Sequence, residues 1–327
     1  MQTLTEQFFG GRAVETSFEA YIKHVRPDFE WAEHHQRLVR AIEQWAIGKL
    51  SSGNRHLLIA LPVRHGKSVM GSQLCPSWCA GKLAKTNVPF QMIVAAYSLE
   101  HAMEMGDYTQ ALIRSPEWAE CFPDLKLNPL KCNSRTFQLL RGQKKATIWH
   151  AGGVGAVPMG KGAHRLIFDD VIKDRKDAHS QTIRDDTWNW LKSDMQTRLM
   201  PDGAQLMIGT HWHADDPIGR LLEEMKNPRA AKWDIVCLPA IMDEETKDNP
   251  LWQCGQQGPC PDWRSVGQAL WPEWYPFDVL ENQMVDPYTW DALFQQRPRS
   301  STTGVLQSAW FADRRMTVED PRMENVF

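Results

Sequence analysis

The 327-residue sequence predicts an α/β protein in which a mostly parallel central sheet is flanked by helices, and three observations carry that expectation. Short apolar runs of strand length alternate with amphipathic helical stretches. The polar, chemistry-bearing segments fall directly after those runs, where open parallel sheets place their ligands. A hydrophobic content of 42% over this length is enough to bury a full two-layered core.

Taken in order, Thr16 and Glu19 have capping-box spacing, and Phe18, Tyr21, Ile22 and Val25 then recur at helical intervals. A second amphipathic helix carries Leu38, Ile42 and Trp45 on one face and runs out near Gly48 and Gly53. Residues 56–61 form an apolar strand, 62–66 a loop, and Lys67 opens a helix that Pro76 should kink or divide. A second buried strand spans 90–97, and Ser98 caps the long helix behind it. Residues 136–140 and 146–150 read as a strand pair around the basic turn 141–145. A glycine-rich loop, 152–162, leads into the strand 165–168, which ends on Asp169 and Asp170. A tryptophan-bearing helix is expected to stop at Pro201-Asp202-Gly203, ahead of a strand at 205–209.

Composition narrows the function classes. A formal net charge of -3 gives no global footprint for nucleic acid, so any DNA contact must come from a local basic surface or from several subunits together. The 15 tryptophans are scattered, which suits core and interface sites better than a base-stacking platform. Seven cysteines form no paired CxxC pattern, and with no secretory leader at the start the simplest reading is reduced thiols in a cytosol. The longest apolar runs, such as 92–97, are strand-sized, so no membrane span is expected.

The strongest local signal is Arg64-His65-Gly66-Lys67-Ser68, set between a strand and a helix as a phosphate-binding loop must be. Backbone N–H groups and the helix start would cradle phosphates, Lys67 would reach their β and γ oxygens as an exposed loop lysine, and the Ser68 hydroxyl would ligate Mg2+. Leu61 stands where the usual first glycine belongs, and a bare Gly-Lys-Ser occurs by chance in many proteins. Weight comes from Leu166-Ile167-Phe168-Asp169-Asp170, about a hundred residues on, an apolar strand ending in two acids. Asp169 suits the magnesium shell and Asp170 suits positioning or deprotonating a water, though a solvated acidic turn would read the same. A third segment, Gly209-Thr210-His211-Trp212-His213-Ala214-Asp215-Asp216, also follows a strand. Thr210 there can touch both the γ-phosphate region and the neighbouring strand. The histidines and aspartates invite a metal-site reading, but in an extended chain His211 and His213 would point to opposite faces.

Together these segments resemble the large terminase family of tailed bacteriophages and prophages, from about Phe29 to Trp310. Pro62-Val63-Arg64-His65-Gly66-Lys67-Ser68 is similar to that family's Pro-Pro-Arg-His-Gly-Lys-Ser Walker A loop. Residues 160–174 resemble its glycine-led Walker B segment, and 209–221 its Gly-Thr-Arg-Trp-His coupling stretch with a following Asp-Asp and Gly-Arg-Leu. Ala292-Leu293-Phe294-Gln295-Gln296-Arg297-Pro298 is similar to the Gln-Gln-x-Pro segment that leads from motor to nuclease. Val63, His211 and Val171 depart from the family pattern, and Asp170 follows its Asp-Asp branch.

The resemblance implies a P-loop NTPase of the additional-strand type, with an N-terminal helical segment (1–55), an ATPase motor with linker (56–300) and the truncated start of an RNase H-like nuclease (301–327). It implies ATP and Mg2+ as cofactors, and a homo-oligomeric ring in the host cytoplasm. That ring would sit transiently at the procapsid's portal protein, take double-stranded DNA from a small terminase subunit, and contact no membrane. Trp31, His35 and Gln36 become candidates for holding adenine, Arg64 for stabilising γ-phosphate charge from its own subunit, and Thr210 for coupling phosphate loss to movement. The alternatives are another P-loop ATPase acting on nucleic acid, such as a helicase or transposition ATPase, and an inactive packaging adaptor.

Overall fold

The computed structural model describes residues 17–298; Thr16 of the expected capping box, and the expected start of a nuclease at 301–327, lie outside them. Helix α1 (Phe18–Val25) is capped by Ser17, whose side chain accepts from Ala20 N–H. Its four buried residues are the four that the periodicity marks, Phe18, Tyr21, Ile22 and Val25. Helix α2 (Glu33–Ala46) follows, burying Leu38, Ile42 and Trp45 together with His34 and His35.

Eight strands form one sheet: β1 (His56–Ala60), β2 (Phe90–Ala96), β3 (Leu125–Asn133), β4 (Thr136–Arg141), β5 (Lys144–Gly153), β6 (Ala163–Asp169), β7 (Leu199–Gly209) and β8 (Trp233–Cys237). Their order is β3-β4-β5-β2-β6-β7-β1-β8. From β5 to β8 every pairing is parallel, whereas β3, β4 and β5 pair antiparallel at one edge. The strand that enters the loop 62–66, β1, and the strand that ends in paired acids, β6, are separated by β7. That intervening strand is what additional-strand P-loop architecture means, and the expected fold class is the one observed.

Strand alternation builds the two layers. On β1, Leu57 and Ile59 enter one core while Leu58 and Ala60 enter the other; β2 divides in the same way into Met92, Val94 and Ala96 against Ile93 and Ala95. The first core is closed by α1, α2, α3 (Cys75–Lys82), α4 (Leu99–Ile113) and α5 (Pro116–Cys121). Behind the second lie α7 (Gln181–Asn189), reached through the short α6 (Arg175–His179), a π-helical turn (Trp190–Met195), α8 (Pro217–Met225) and α9 (Pro250–Gly255). A small third cluster around Ala240, Leu280, Trp290 and Phe294 joins α10 (Phe277–Gln283) and the closing π-turn (Trp290–Phe294), which follows the short α11 (Pro287–Thr289), to the end of the sheet.

Two local expectations are corrected and a third is met. The helical run after Lys67 is divided beside Pro76, one of the two outcomes expected there; what was not foreseen is that the part before it, Val69–Leu74, is π-helical, with Pro76 in the first turn of α3. The tryptophan-bearing helix ends before Pro201-Asp202-Gly203, because those residues belong to β7, at a register irregularity opposite β6. The cap of α1 is Ser17, one residue after the expected Thr16. No helix among the described residues is long and apolar enough to cross a membrane.

Candidate active site

The loop after β1 turns on two residues of positive φ, Arg64 at 59° and Gly66 at 79°. A Cβ on Gly66 would stand 2.6 Å from Nε2 of His35, so both the conformation and the space select glycine. Beneath the loop lies a plinth of buried rings. His35 packs edge-on to Trp271 at 4.6 Å, His65 stacks on Tyr275 at 5.0 Å, and the His34 and His35 centroids are 3.9 Å apart. His34 Nε2 lies 3.2 Å from the carbonyl of His65, and His65 Nδ1 lies 2.9 Å from that of Val63. Burial pushes His34 down to about 2 and His35 and His65 down to about 4, which leaves all three neutral near pH 7. The loop's positive charge is therefore confined to Arg64 and Lys67.

His35 is fully buried by this arrangement and supports the loop from below, which corrects the expectation that it holds adenine. Trp31 packs against the first core, and Gln36 is exposed in a cleft with Glu33, Arg37 and Arg40. Lys67 is not the exposed lysine expected from the sequence: it is 6% exposed and forms no ion pair among the described residues. A buried lysine that forms no close ion pair, at the start of a helical segment, is placed to receive an anion. Arg64 is exposed at the loop's apex and likewise unpaired among the described residues.

The acids at the end of β6 meet the loop directly. Ser68 Oγ donates to Asp169 Oδ1 at 3.0 Å, and Ser72, one turn on, hydrogen-bonds the other carboxylate oxygen. Asp169 is 1% exposed; burial, and then the neighbouring Asp170, push its carboxyl up to about 6 against the opposing pull of Ser72, Lys67 and Ser68. A hydroxyl and a carboxylate at this separation are the hard oxygen donors that Mg2+ prefers. Asp170, half-buried with φ 42°, accepts the Thr210 N–H at 3.2 Å through Oδ1, and its own N–H donates to the carbonyl of Ile208 at 3.0 Å. The end of β6 and the end of β7 are thus joined through the two residues singled out as water-positioning acid and coupling residue.

Beyond Thr210 the chain is latched to the closing segment. His211 N–H donates to Gln296 Oε1 at 3.1 Å, and Gln296 has φ 55°. The three non-glycine residues of positive φ among those described are Arg64, Asp170 and Gln296, in the phosphate loop, beside the paired acids and at this latch. Strained backbone of this kind collects where a site over-determines its residues. The other groups of the 211–216 segment have structural partners. Asp216 caps α8, accepts N–H groups of Trp212, His213, Ile218 and Gly219, and bonds His211 Nδ1 at 3.1 Å. Burial acts to raise the Asp216 carboxyl, but His211 and these donors outweigh it and hold it below the usual range. Asp215 pairs with Arg184 and Arg220, and no group of three or more potential metal-ligating side chains gathers among the described residues.

Sequence reasoning missed Ser72, His34 and Trp271. Ser72 alone had a readable signal, its i+4 spacing from Ser68 on a helix that faces the acids.

No protein-family model matches the chain, and no curated protein matches it. Solved structures do. The large terminase of bacteriophage HK97 superposes with a TM-score of 0.50 at 12% identity, covering 86% of this chain and 55% of that one. The large terminase of the thermophilic bacteriophage D6E in complex with ATP-gamma-S gives a TM-score of 0.40 at 10% identity over 62% of this chain and 44% of that one. The Thermus phage P74-26 large terminase ATPase domain gives 0.41 at 14% identity over 74% of this chain and 88% of that one. The chain spans about half the length of the HK97 protein. In fold, and over most of its own length, it is similar to the bacteriophage large terminases.

Proposed function

We propose that this chain is the ATP-hydrolysing motor of a viral DNA-packaging machine, the ATPase part of a large terminase subunit, acting on double-stranded DNA as a homo-oligomeric ring. The observation that carries the reading is the junction of Ser68, Ser72 and Asp169 beside an unpaired, buried Lys67. A phosphate loop needs a cation for the β and γ oxygens and a hydroxyl–carboxylate pair for the metal, and the sequence supplies each at the end of its own strand.

Lys67 and the loop's N–H groups bind the phosphates, and Arg64 reaches the charge that develops on the γ-phosphoryl group. Ser68 and Asp169 would hold Mg2+, which when bound neutralises phosphate charge. Asp170 orients or deprotonates the attacking water, and its bond to the Thr210 N–H passes the change in charge to β7. The His65 ring is fully buried against Tyr275, so its contribution would be its backbone N–H, as would that of Gly66. Gln36 is retained as a candidate neighbour of the base. In this reading the small terminase subunit delivers DNA, and the procapsid's portal protein seats the ring in the host cytoplasm.

Lys67→Ala should abolish ATP turnover while the far-UV spectrum and melting transition persist. Normal steady-state hydrolysis by the folded variant would sink the assignment. DNA-stimulated hydrolysis without strand separation is expected of a packaging motor, and strand separation would move the chain to the helicases.

A further inference from the structure

From Leu125 to Phe168 the chain contains no aspartate or glutamate, yet it carries Lys126, Lys131, Arg135, Arg141, Lys144 and Lys145, all of them exposed. The whole chain is net -3, so this run is a local reversal of its charge. Folding concentrates the reversal, because all six residues belong to the antiparallel edge of the sheet, on β3, β4, β5 and the turns between them. None of the six forms an ion pair among the described residues, whereas lysines elsewhere on the surface do, as in Lys23–Glu19, Lys226–Glu223 and Lys247–Glu244.

Register gathers Lys126 and Lys145 on the outer face, whereas Arg141 and Lys144 oppose each other on the face of Leu125 and Leu139, at the exposed end of the hairpin beyond the core. Lys126 lies opposite Leu140, Leu140 opposite Lys145, and Arg141 opposite Lys144. Lys126 and Lys145 therefore stand two strand spacings apart, about 10 Å, across one face of a three-stranded ribbon. Directly opposed like charges destabilise a sheet, so Arg141 facing Lys144 costs stability and returns nothing to the isolated fold. Keeping an edge strand from pairing with other chains would account for Lys126 and Lys131 on β3. It would not account for Arg141, Lys144 and Lys145, which lie on inner strands.

The ribbon is also a firm and open platform. Its inner face, Phe137, Leu139 and Trp149, is sealed into the first core, with Phe137 and Trp149 stacked at 5.1 Å. No residue of β3 or β4 joins the second core, which leaves Gln138, Leu140 and Ile148 half-buried on the outer face with the lysines around them. Through β5 and β2 the ribbon is continuous with β6, the strand that ends in Asp169.

We propose that this acid-free ribbon is the surface on which the chain grips the phosphate backbone of double-stranded DNA. The inference rests on the packaging reading and names the DNA-contacting residues within it. Unpaired guanidinium and ammonium groups on a rigid sheet offer sequence-independent phosphate contacts, which is what a translocating motor requires.

The test uses the full chain and a fluorescein-labelled 30-base-pair duplex of random sequence, titrated between 50 and 200 mM salt. In K126Q/R141Q/K144Q/K145Q the dissociation constant at 100 mM salt should rise at least about tenfold, and the slope of log K against log salt should fall by roughly 3 to 4, near 0.9 per lost phosphate contact. DNA-independent ATP turnover should stay unchanged while its stimulation by DNA is lost. The control K176Q/K226Q/K232Q/K247Q removes equal charge elsewhere and should keep the wild-type slope. Lys126→Glu leaves the edge strand charged, so it should stay monodisperse and still lose binding, and Lys145→Glu on the inner strand should lose binding likewise. Unchanged affinity and slope in the quadruple variant or the charge reversals, an equal loss in the control, or loss of binding to anionic vesicles or single-stranded RNA with duplex binding intact would each overturn the proposal. Failure of the wild-type chain to bind the duplex at all would instead remove the packaging reading on which it stands.

Discussion

At the scale of single residues the site depends on how Asp169 is kept ionised. Burial and the adjacent Asp170 favour its protonated form, and Ser72, Lys67 and Ser68 oppose them. Metal ligation needs the carboxylate, so turnover should fall as pH drops through about 6, where this carboxyl takes up its proton. Ser72→Ala removes a hydrogen bond that stabilises the charged form, and the acidic limb of the kcat/KM profile should move to higher pH; an unmoved limb would take Ser72 out of this role. Arg64 gives a second prediction. An exposed, unpaired guanidinium held at φ 59° is placed to meet developing charge, so Arg64→Ala should lower kcat by roughly two to five orders of magnitude with a much smaller loss of nucleotide affinity. A raised KM with unchanged kcat would reduce its role to ground-state binding. Recovery of hydrolysis on mixing this variant with Lys67→Ala subunits would show the arginine acting across an interface.

Among the elements, the seat of α8 is the least forgiving. A Cβ on Gly219 would lie 1.9 Å from the carbonyl oxygen of Ala214, a backbone atom that cannot swing away, within the loop that Asp216 ties together. Gly219→Ala should cost roughly 1–3 kcal/mol as overpacking, seen calorimetrically as a Tm lowered by about 2–8 °C. A melting point within one degree of wild type would show that the loop yields. The same elements mark what was legible beforehand. Strands β1, β2 and β6 could be read because both their faces are buried, so their sequences are continuous apolar runs. Strand β8 is just as buried, but Asp234 interrupts it, and Oδ1 of that carboxylate accepts from Asn54 Nδ2 at 2.7 Å, a partner 180 residues away. Strand β3 is mostly exposed, with Lys126, Asn128, Lys131 and Asn133 breaking up its apolar residues and Pro129 at its register shift, and it exists by pairing with β4 rather than by burial. In the site, Ser68, Asp169 and Thr210 stand out because each ends or follows a strand. The ring plinth of His34, His35, His65 and Trp271 does not, since three separate segments assemble it only in the fold.

For the molecule as a whole, that plinth makes stability depend on pH. His34, His35 and His65 are fully buried, and burial takes the first down to about 2 and the other two to about 4, while the unfolded chain protonates histidine near 6.5. His56 and His150 are shifted the same way, again chiefly by burial, to about 4. Between pH 6.5 and 4 the unfolded state therefore binds more protons than the folded one at each of these positions, and unfolding becomes easier as pH falls. Asp169 acts in the opposite direction, because a carboxyl raised to about 6 is protonated in the fold over part of the same window. One acid opposes several histidines, so the net slope of unfolding free energy against pH should be positive, with a loss on the order of several kcal/mol by pH 4.5. That is a large share of the 5–15 kcal/mol typical of a domain, and acid should bring the chain close to unfolding before most surface carboxylates titrate. Urea unfolding from pH 7.5 to 4.5 measures the slope directly. His34→Gln, which removes one buried titrating ring, should lower the slope by close to one proton equivalent even if it lowers stability at pH 7.5. A flat or negative slope in the wild-type protein would mean that the three rings beneath the phosphate loop are not sealed from water.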